Sequence, residues 1–210
     1  MSFPEFFNQI PALRLRDPLA AMLGAAGDGT IEYRYADAVK LAGHSCPTVA
    51  GAWLMASRAL TTLYPDAVPE RGGLRVDLRA ARDAGVAGVI GAVLGLITGA
   101  AGEGGFKGLG GQYSRRDLLR FGVAIDADVA ISRLDTHACV LIDYRPEAVA
   151  ASPEIAPLMA RVLGGVAAAE ERARFAELWQ DRVRRILLDH AEDPALLASR
   201  TATDVPVRAG

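Results

Sequence analysis

Two rhythms of apolar and polar residues divide this sequence. Between Pro47 and about Leu63, Val49, Trp53, Ala56 and Leu60 recur at the spacing of one helical face. Pro47 suits a first helical position, so a helix is predicted with Cys46 at or beside its N-cap. After the Gly72-Gly73 turn, Leu74, Val76 and Leu78 alternate with Arg75, Asp77 and Arg79 in the period of a half-exposed strand. The uncharged run over 84–101 then spaces Gly85, Gly88, Gly91, Gly95 and Gly99 in steps of three and four, a stripe without side chains along a second helix. Val123, Ile125, Ala127, Val129 and Ile131 alternate with Ala124, Asp126, Asp128 and Ala130, which predicts a strand over 123–131; another follows over 137–144. In that last strand the period of two puts His137, Cys139, Leu141 and Asp143 on one face, and Ala138, Val140, Ile142 and Tyr144 on the other.

Helical spacing returns in the last third of the chain. Ser152-Pro153 reads as the start of a helix that reaches Leu163 before Gly164-Gly165. A longer amphipathic helix covers 167–190, with Phe175, Leu178, Trp179, Val183, Ile186 and Leu187 on its apolar stripe and His190 as a cation at its C-terminal end. Ser114 with Asp117 resembles a capping pair for a short helix over Leu118, Leu119 and Phe121. "PALLAS" at 194–199 reads as a further short helix, and the polar end of the tail is expected to fray. Helices and strands in mixed order, with a late hairpin, predict an α+β fold: a largely antiparallel sheet packed with helices, among them a buried Gly-striped helix at about 84–100. The organisation read from this pattern is an N-terminal extension over 1–34, a core over 35–165 and a C-terminal helical segment over 166–210 packed on that core.

Composition narrows the classes. At 210 residues, 51% apolar and 23% charged, the chain can sustain a sizeable core and lacks the signature of disorder. A net charge of −2 with no long basic stripe argues against nucleic acid as a partner. The run over 84–101 approaches the length of a membrane span, but it is single, abuts Arg82-Asp83 and has no aromatic belt, so it is read as a core helix and no span is predicted. Pro4, Glu5 and Pro11 interrupt what a secretory signal would need, which makes the cytoplasm the expected compartment. There the two cysteines are thiols or metal ligands sooner than a bridge. No Gly-x-Gly-x-x-Gly or Gly-Lys-Ser/Thr fingerprint occurs in the glycine-dense stretch 99–113, so a nucleotide fold is not expected.

Chemistry concentrates in two His-x-Cys pairs, His44 with Cys46 in "GHSCP" and His137 with Cys139 in "THACV". Imidazole nitrogen and thiolate sulfur are the ligands of zinc and related ions, and four of them form a tetrahedral set. The pairs lie so far apart in sequence that only the fold could join them. A cysteine at a helix start also sits where the dipole and unpaired amides favour the thiolate. Glu103 and Lys107 in the glycine-dense loop are candidates for general base and anion clamp. Tyr35, Asp37 and Lys40, just before the first motif, are candidates for a shell that orients His44. Asp135 is a candidate carboxylate partner for His137.

The stretch "GHSCPTVAGAWLMASRAL" at 43–60, then "GVIGAVLGLITGA" with "GEGGFKG" behind it, resembles the FmdE family, whose core carries a Gly-His-x-Cys-Pro motif leading into a helix and a Gly-rich second helix and loop. The likeness extends loosely over about 35–145. It implies an α+β metal-binding protein, often dimeric, of the type named for an accessory subunit of formylmethanofuran dehydrogenase. His44 and Cys46 carry over by position. The cysteine-rich C-terminal zinc finger of many relatives has no counterpart, since no Cys follows Cys139 in this sequence.

The expectation is therefore an FmdE-like homodimer binding zinc or another divalent transition metal. His44 and Cys46 are its ligands, completed by His137, Cys139, a partner subunit or an open water position, with metal-dependent chemistry on a small molecule where a position stays open. A metal-free thiol enzyme, with Cys46 as nucleophile and His44 or His137 as base, is one alternative. A non-catalytic accessory subunit of a redox or one-carbon enzyme complex is the other.

Overall fold

The computed structural model describes residues 2–203, and the tail end expected to fray lies outside them. Two sheets and six α-helices make up the described chain, an α+β fold with mostly antiparallel pairing. A 3-10 turn over Glu5–Gln9 leads into strand β1 (Leu13–Arg16), which pairs with β2 (Thr30–Tyr33) as a two-stranded sheet around helix α1 (Pro18–Met22). Helices α2 (Tyr35–Ala42) and α3 (Pro47–Leu63) follow. The main sheet holds β3 (Leu74–Leu78), β4 (Leu119–Arg120), β5 (Val129–Arg133), β6 (Cys139–Tyr144) and β7 (Leu197–Ala202), in the order β4-β3-β5-β6-β7. Within that sheet, among the described residues, only the short β3–β4 pairing is parallel. Helix α4 (Ala87–Thr98) sits between β3 and β4, and α5 (Ile155–Leu163) and α6 (Ala169–Arg184) precede β7.

Both faces of β5 and β6 carry buried apolar side chains that serve different cores, whereas the second face of β3 is polar, with Asp77 buried between Arg75 and Arg120. Leu74, Val76 and Leu78 of β3, Val129 and Ile131 of β5, and Val140 and Ile142 of β6 face the large cluster that holds α3 and α4. Ala130, Cys139 and Leu141 point the opposite way, into a small cluster closed by Ile125 and Ala127. The N-terminal segment contributes Phe7 and Leu15 to the large cluster, and the C-terminal segment contributes Val183, Ile186 and Leu187, so all three predicted segments share one core. Burying side chains of this size stabilises by roughly 1.5–3 kcal/mol each.

The glycine stripe of α4 is explained by close approach. A side-chain carbon at Gly91 would run into the Phe121 ring, and one at Gly95 would crowd the Ala100 carbonyl at 2.9 Å. No helix among the described residues is long and apolar enough to cross a membrane.

Three local expectations are corrected. Residues 123–128 do not extend β5; they fold over the back of the sheet to close the small cluster. Ser114 and Asp117 open no helix, because Asp117 takes a positive φ of 59° and the chain passes directly into β4. In "PALLAS" residues 194–196 form a turn and residues 197–199 open β7, whose backbone pairs with β6 from Leu197 opposite Tyr144 onward. Edge pairing outweighs the weak helix preference of Ala and Leu. The helix predicted over 167–190 forms as α6 and ends in a π turn over Arg185–Asp189. Beyond that turn His190 Nδ1 bonds Asp193 at 3.0 Å, which gives the ring a carboxylate partner.

Candidate functional site

The segment "GHSCP" is a tight corner between two helices. Helix α2 ends where Gly43 takes a left-handed φ of 76°, which a glycine adopts without steric cost. His44, Ser45 and Cys46 lead from there to Pro47, the first residue of α3, with Cys46 as its extended N-cap. His44 is exposed, and its Nδ1 lies 2.9 Å from the Ala42 carbonyl. A carbonyl only accepts, so Nδ1 carries the proton and Nε2 is left as the basic nitrogen.

Side chains from α2 itself and from two other elements clamp the corner. The Tyr35 hydroxyl of α2 lies 3.1 Å from Ser45 Oγ. From α6, Trp179 Nε1 and Gln180 Nε2 both donate to the Ser45 carbonyl, at 3.0 and 3.2 Å. From β6, the Tyr144 hydroxyl donates to the Pro47 carbonyl at 2.7 Å. Gly51 of α3 makes room for the Tyr144 ring, which a side-chain carbon there would overlap. Burial pushes the Tyr35 and Tyr144 phenols well above their ordinary range, so both remain protonated donors at neutral pH. Gln180 keeps its Oε1 buried with no hydrogen-bond partner, a spare acceptor at the corner. Cys46 is 9% exposed, at the edge of the large core, and its side chain makes no capping hydrogen bond.

The second His-x-Cys pair is elsewhere. His137 lies in the β5–β6 hairpin, exposed, with a left-handed φ of 61° that removes it from the strand. Cys139 is 1% exposed and packs in the small cluster, across the sheet from Cys46. The strand parity predicted from sequence holds for Cys139, Leu141 and Tyr144; it is the Tyr144 face that meets α3, so Cys139 points away from the corner. The two thiols are not bridged, and the two pairs do not converge on one site. Asp135, the expected partner of His137, pairs with Arg133 Nε at 2.9 Å and accepts from the Thr136 amide.

Glu103 and Lys107 are exposed in a loop at the C-terminal end of α4. That loop is pinned to the N-terminal segment by Arg115, whose Nη2 donates to Asp17 at 2.8 Å. The start of α4 is the end that neighbours the corner, since Ala87 and Thr48 line one cavity. The loop's own backbone hydrogen bonds run to Arg115, Leu118 and Leu119, the segment that leads into β4. Asp37 and Lys40 pair with each other at 2.9 Å, and Asp37 also accepts from the Arg34 amide, so their partners lie within α2 and not at His44. Of the three residues named to orient His44, only Tyr35 reaches the corner, where it holds the neighbouring Ser45. Sequence reasoning missed Trp179, Gln180 and Tyr144 as clamps; the only trace was the placing of Trp179 on the apolar stripe and of Tyr144 on the face opposite Cys139.

Among the described residues no group of three or more His, Cys, Asp or Glu side chains is arranged to hold a metal ion. No family model matches the chain, and no curated protein matches its sequence. Fold and site together define an α+β protein with an exposed imidazole and a buried thiol at one clamped helix start.

Proposed function

We propose that the protein is an FmdE-like metal-binding protein in which His44 and Cys46 ligate zinc or another divalent transition metal. The observation that carries this reading is the Nδ1 contact of His44 with the Ala42 carbonyl. A metal-ligating histidine typically donates its other ring N–H to a carbonyl or carboxylate, which fixes the tautomer and presents the free nitrogen. The helix start supplies the second feature, since it places Cys46 two residues from His44 as the N-cap of α3, at the rim of the large core.

One chain offers two ligands where zinc takes three or four. The fit is therefore to half a site. Water or a second copy completes it, and a homodimer that juxtaposes two His44/Cys46 pairs would supply two nitrogens and two sulfurs. A bound ion with an open position would supply Lewis-acid chemistry to a small molecule. The chain's own part is to hold the corner rigid, through the Trp179, Gln180 and Tyr144 hydrogen bonds to its carbonyls.

Elemental analysis of protein purified without added metal, paired with light scattering for its mass, tests this. The expected result is a dimer with about one ion per two chains, the stoichiometry of a shared four-ligand site. Wild-type protein devoid of transition metal, or Cys46→Ala protein that retains it in full, would sink the reading.

A further inference from the structure

Beside the corner lies a cavity of about 480 Å³, within the range of small-molecule sites. Its walls come from α3 (Met55), the end of β3 (Leu78), the start of α4 (Ala87, Ile90), β5 (Val129) and Pro146. A polar molecule would leave its groups unpaired against these walls, at roughly 1–3 kcal/mol each, so the space selects an apolar body.

The polar groups on the lining are few and unequal. The Tyr144 hydroxyl is already committed to the Pro47 carbonyl. Asp128 accepts from the Tyr144 amide at 3.1 Å and from Arg79 Nη2, so its carboxylate is engaged. Arg79 has five N–H donors and meets this one carboxylate, with its side chain 43% exposed. That leaves the guanidinium as the group able to take an anion. The start of α4, also on the wall, carries no acidic residue in its first turn and adds a weak attraction for negative charge. Thr48 completes the polar lining with a hydroxyl that suits either partner.

We infer that this cavity binds a carboxylic acid with an apolar body, its carboxylate on Arg79 and its chain or ring among Met55, Leu78, Ile90 and Val129. The inference does not rest on metal at His44 and Cys46, and the test is run on chelator-treated protein so that the two succeed or fail separately.

The experiment is an amide chemical-shift titration of the isotope-labelled full chain with octanoate, octanol and octylamine. Octanoate is expected to give saturable shifts at residues 84–87 and Val129, with octanol weaker by about tenfold, the worth of one charge-assisted hydrogen-bonded pair. Octylamine should give none. Arg79→Gln should bring octanoate to the level of octanol, and Ile90→Trp should abolish both. Ala84→Trp, in an exposed stretch of the lip, is a second blocking variant should the Ile90 change unfold the protein. Shifts that never saturate, that fall elsewhere, or that survive Ala84→Trp unchanged would overturn the site. Octanoate and octanol binding alike, or octanoate unaffected by Arg79→Gln, would overturn the carboxylate assignment.

Discussion

The two His-x-Cys pairs share a spacing and almost nothing else. At 44–46 the chain crosses between helices, the imidazole is tied by its Nδ1 to a carbonyl, and donors from α6 and β6 hold the backbone on either side of the thiol. At 137–139 the chain rounds a hairpin, the imidazole is exposed, and the thiol lies beneath the far side of the sheet. A ligand pair needs both side chains on one accessible surface with one of them oriented, and a shared i, i+2 spacing guarantees neither. In a strand that spacing puts two residues on one face, but His137 leaves the strand before the rule applies.

The largest expected difference between the corners is in metal content. His44→Ala and Cys46→Ala should each lower bound transition metal by on the order of tenfold or more, since loss of even an orienting partner costs that much affinity. His137→Ala and Cys139→Ala should leave it unchanged, as read by elemental analysis of each variant. Loss of metal in Cys139→Ala, with the fold intact by circular dichroism, would restore the joint site that the sheet now separates.

Thiol accessibility comes next. Cys46 sits at the rim of its core and Cys139 under a closed cluster, so reaching Cys139 requires a larger local opening. Iodoacetamide, followed by mass spectrometry under native conditions without metal, should modify Cys46 faster by about tenfold, for an opening free-energy difference of roughly 1.4 kcal/mol. Equal rates would mean that the small cluster opens as readily as the corner.

These contrasts show which parts of the molecule were legible in the sequence. Helix α3 was readable from Pro47 and its apolar period because both act locally, and α4 was readable although its glycines disfavour helix, since their regular spacing exposed one face. The parity of β6 was readable as well. Which face of β6 met α3 was not, because Val140 and Ile142 on one side and Cys139 and Leu141 on the other are all apolar and all buried. Only the partner elements distinguish them, and those partners come from the distant residues 49–63 and 125–127. Strand β7 was hidden for a related reason: its Leu and Ala carry helix preference, and the β6 edge that overrides it lies more than fifty residues upstream. At the corner itself, His44 and Cys46 stood out by type, whereas Trp179 and Gln180 gave no local sign that they would reach Ser45.

The clamping of one corner and the openness of the other predict unequal stability effects. Trp179→Phe keeps most of the ring and removes a donor to Ser45, and should cost about 1 kcal/mol in urea unfolding, softened by the parallel bond from Gln180. Leu134→Ala in the hairpin, where the side chain is 41% exposed, should stay within about 0.5 kcal/mol of wild type. If Leu134→Ala costs as much as Trp179→Phe, the hairpin is held more tightly than its exposure implies.

The smallest effects test the backbone alone, and the two corners should respond with opposite signs. Gly43 holds φ 76° with nothing within 4 Å of where a Cβ would stand, so Gly43→Ala meets no clash and its effect is purely conformational. The left-handed region costs an L-residue roughly 1–2 kcal/mol and reduced freedom of the unfolded chain returns roughly 0.4–1 kcal/mol, so the variant should lose about 0.5–1 kcal/mol. His137 holds φ 61° as a non-glycine already bearing this cost. His137→Gly removes it and gains unfolded-state freedom in exchange, which leaves a net stabilisation of a few tenths of a kcal/mol or about zero. Both variants are read by the urea midpoint at constant slope. Stability lost on His137→Gly beyond about 0.5 kcal/mol would mean that the imidazole makes a contact the hairpin needs, which no surface turn residue is expected to do.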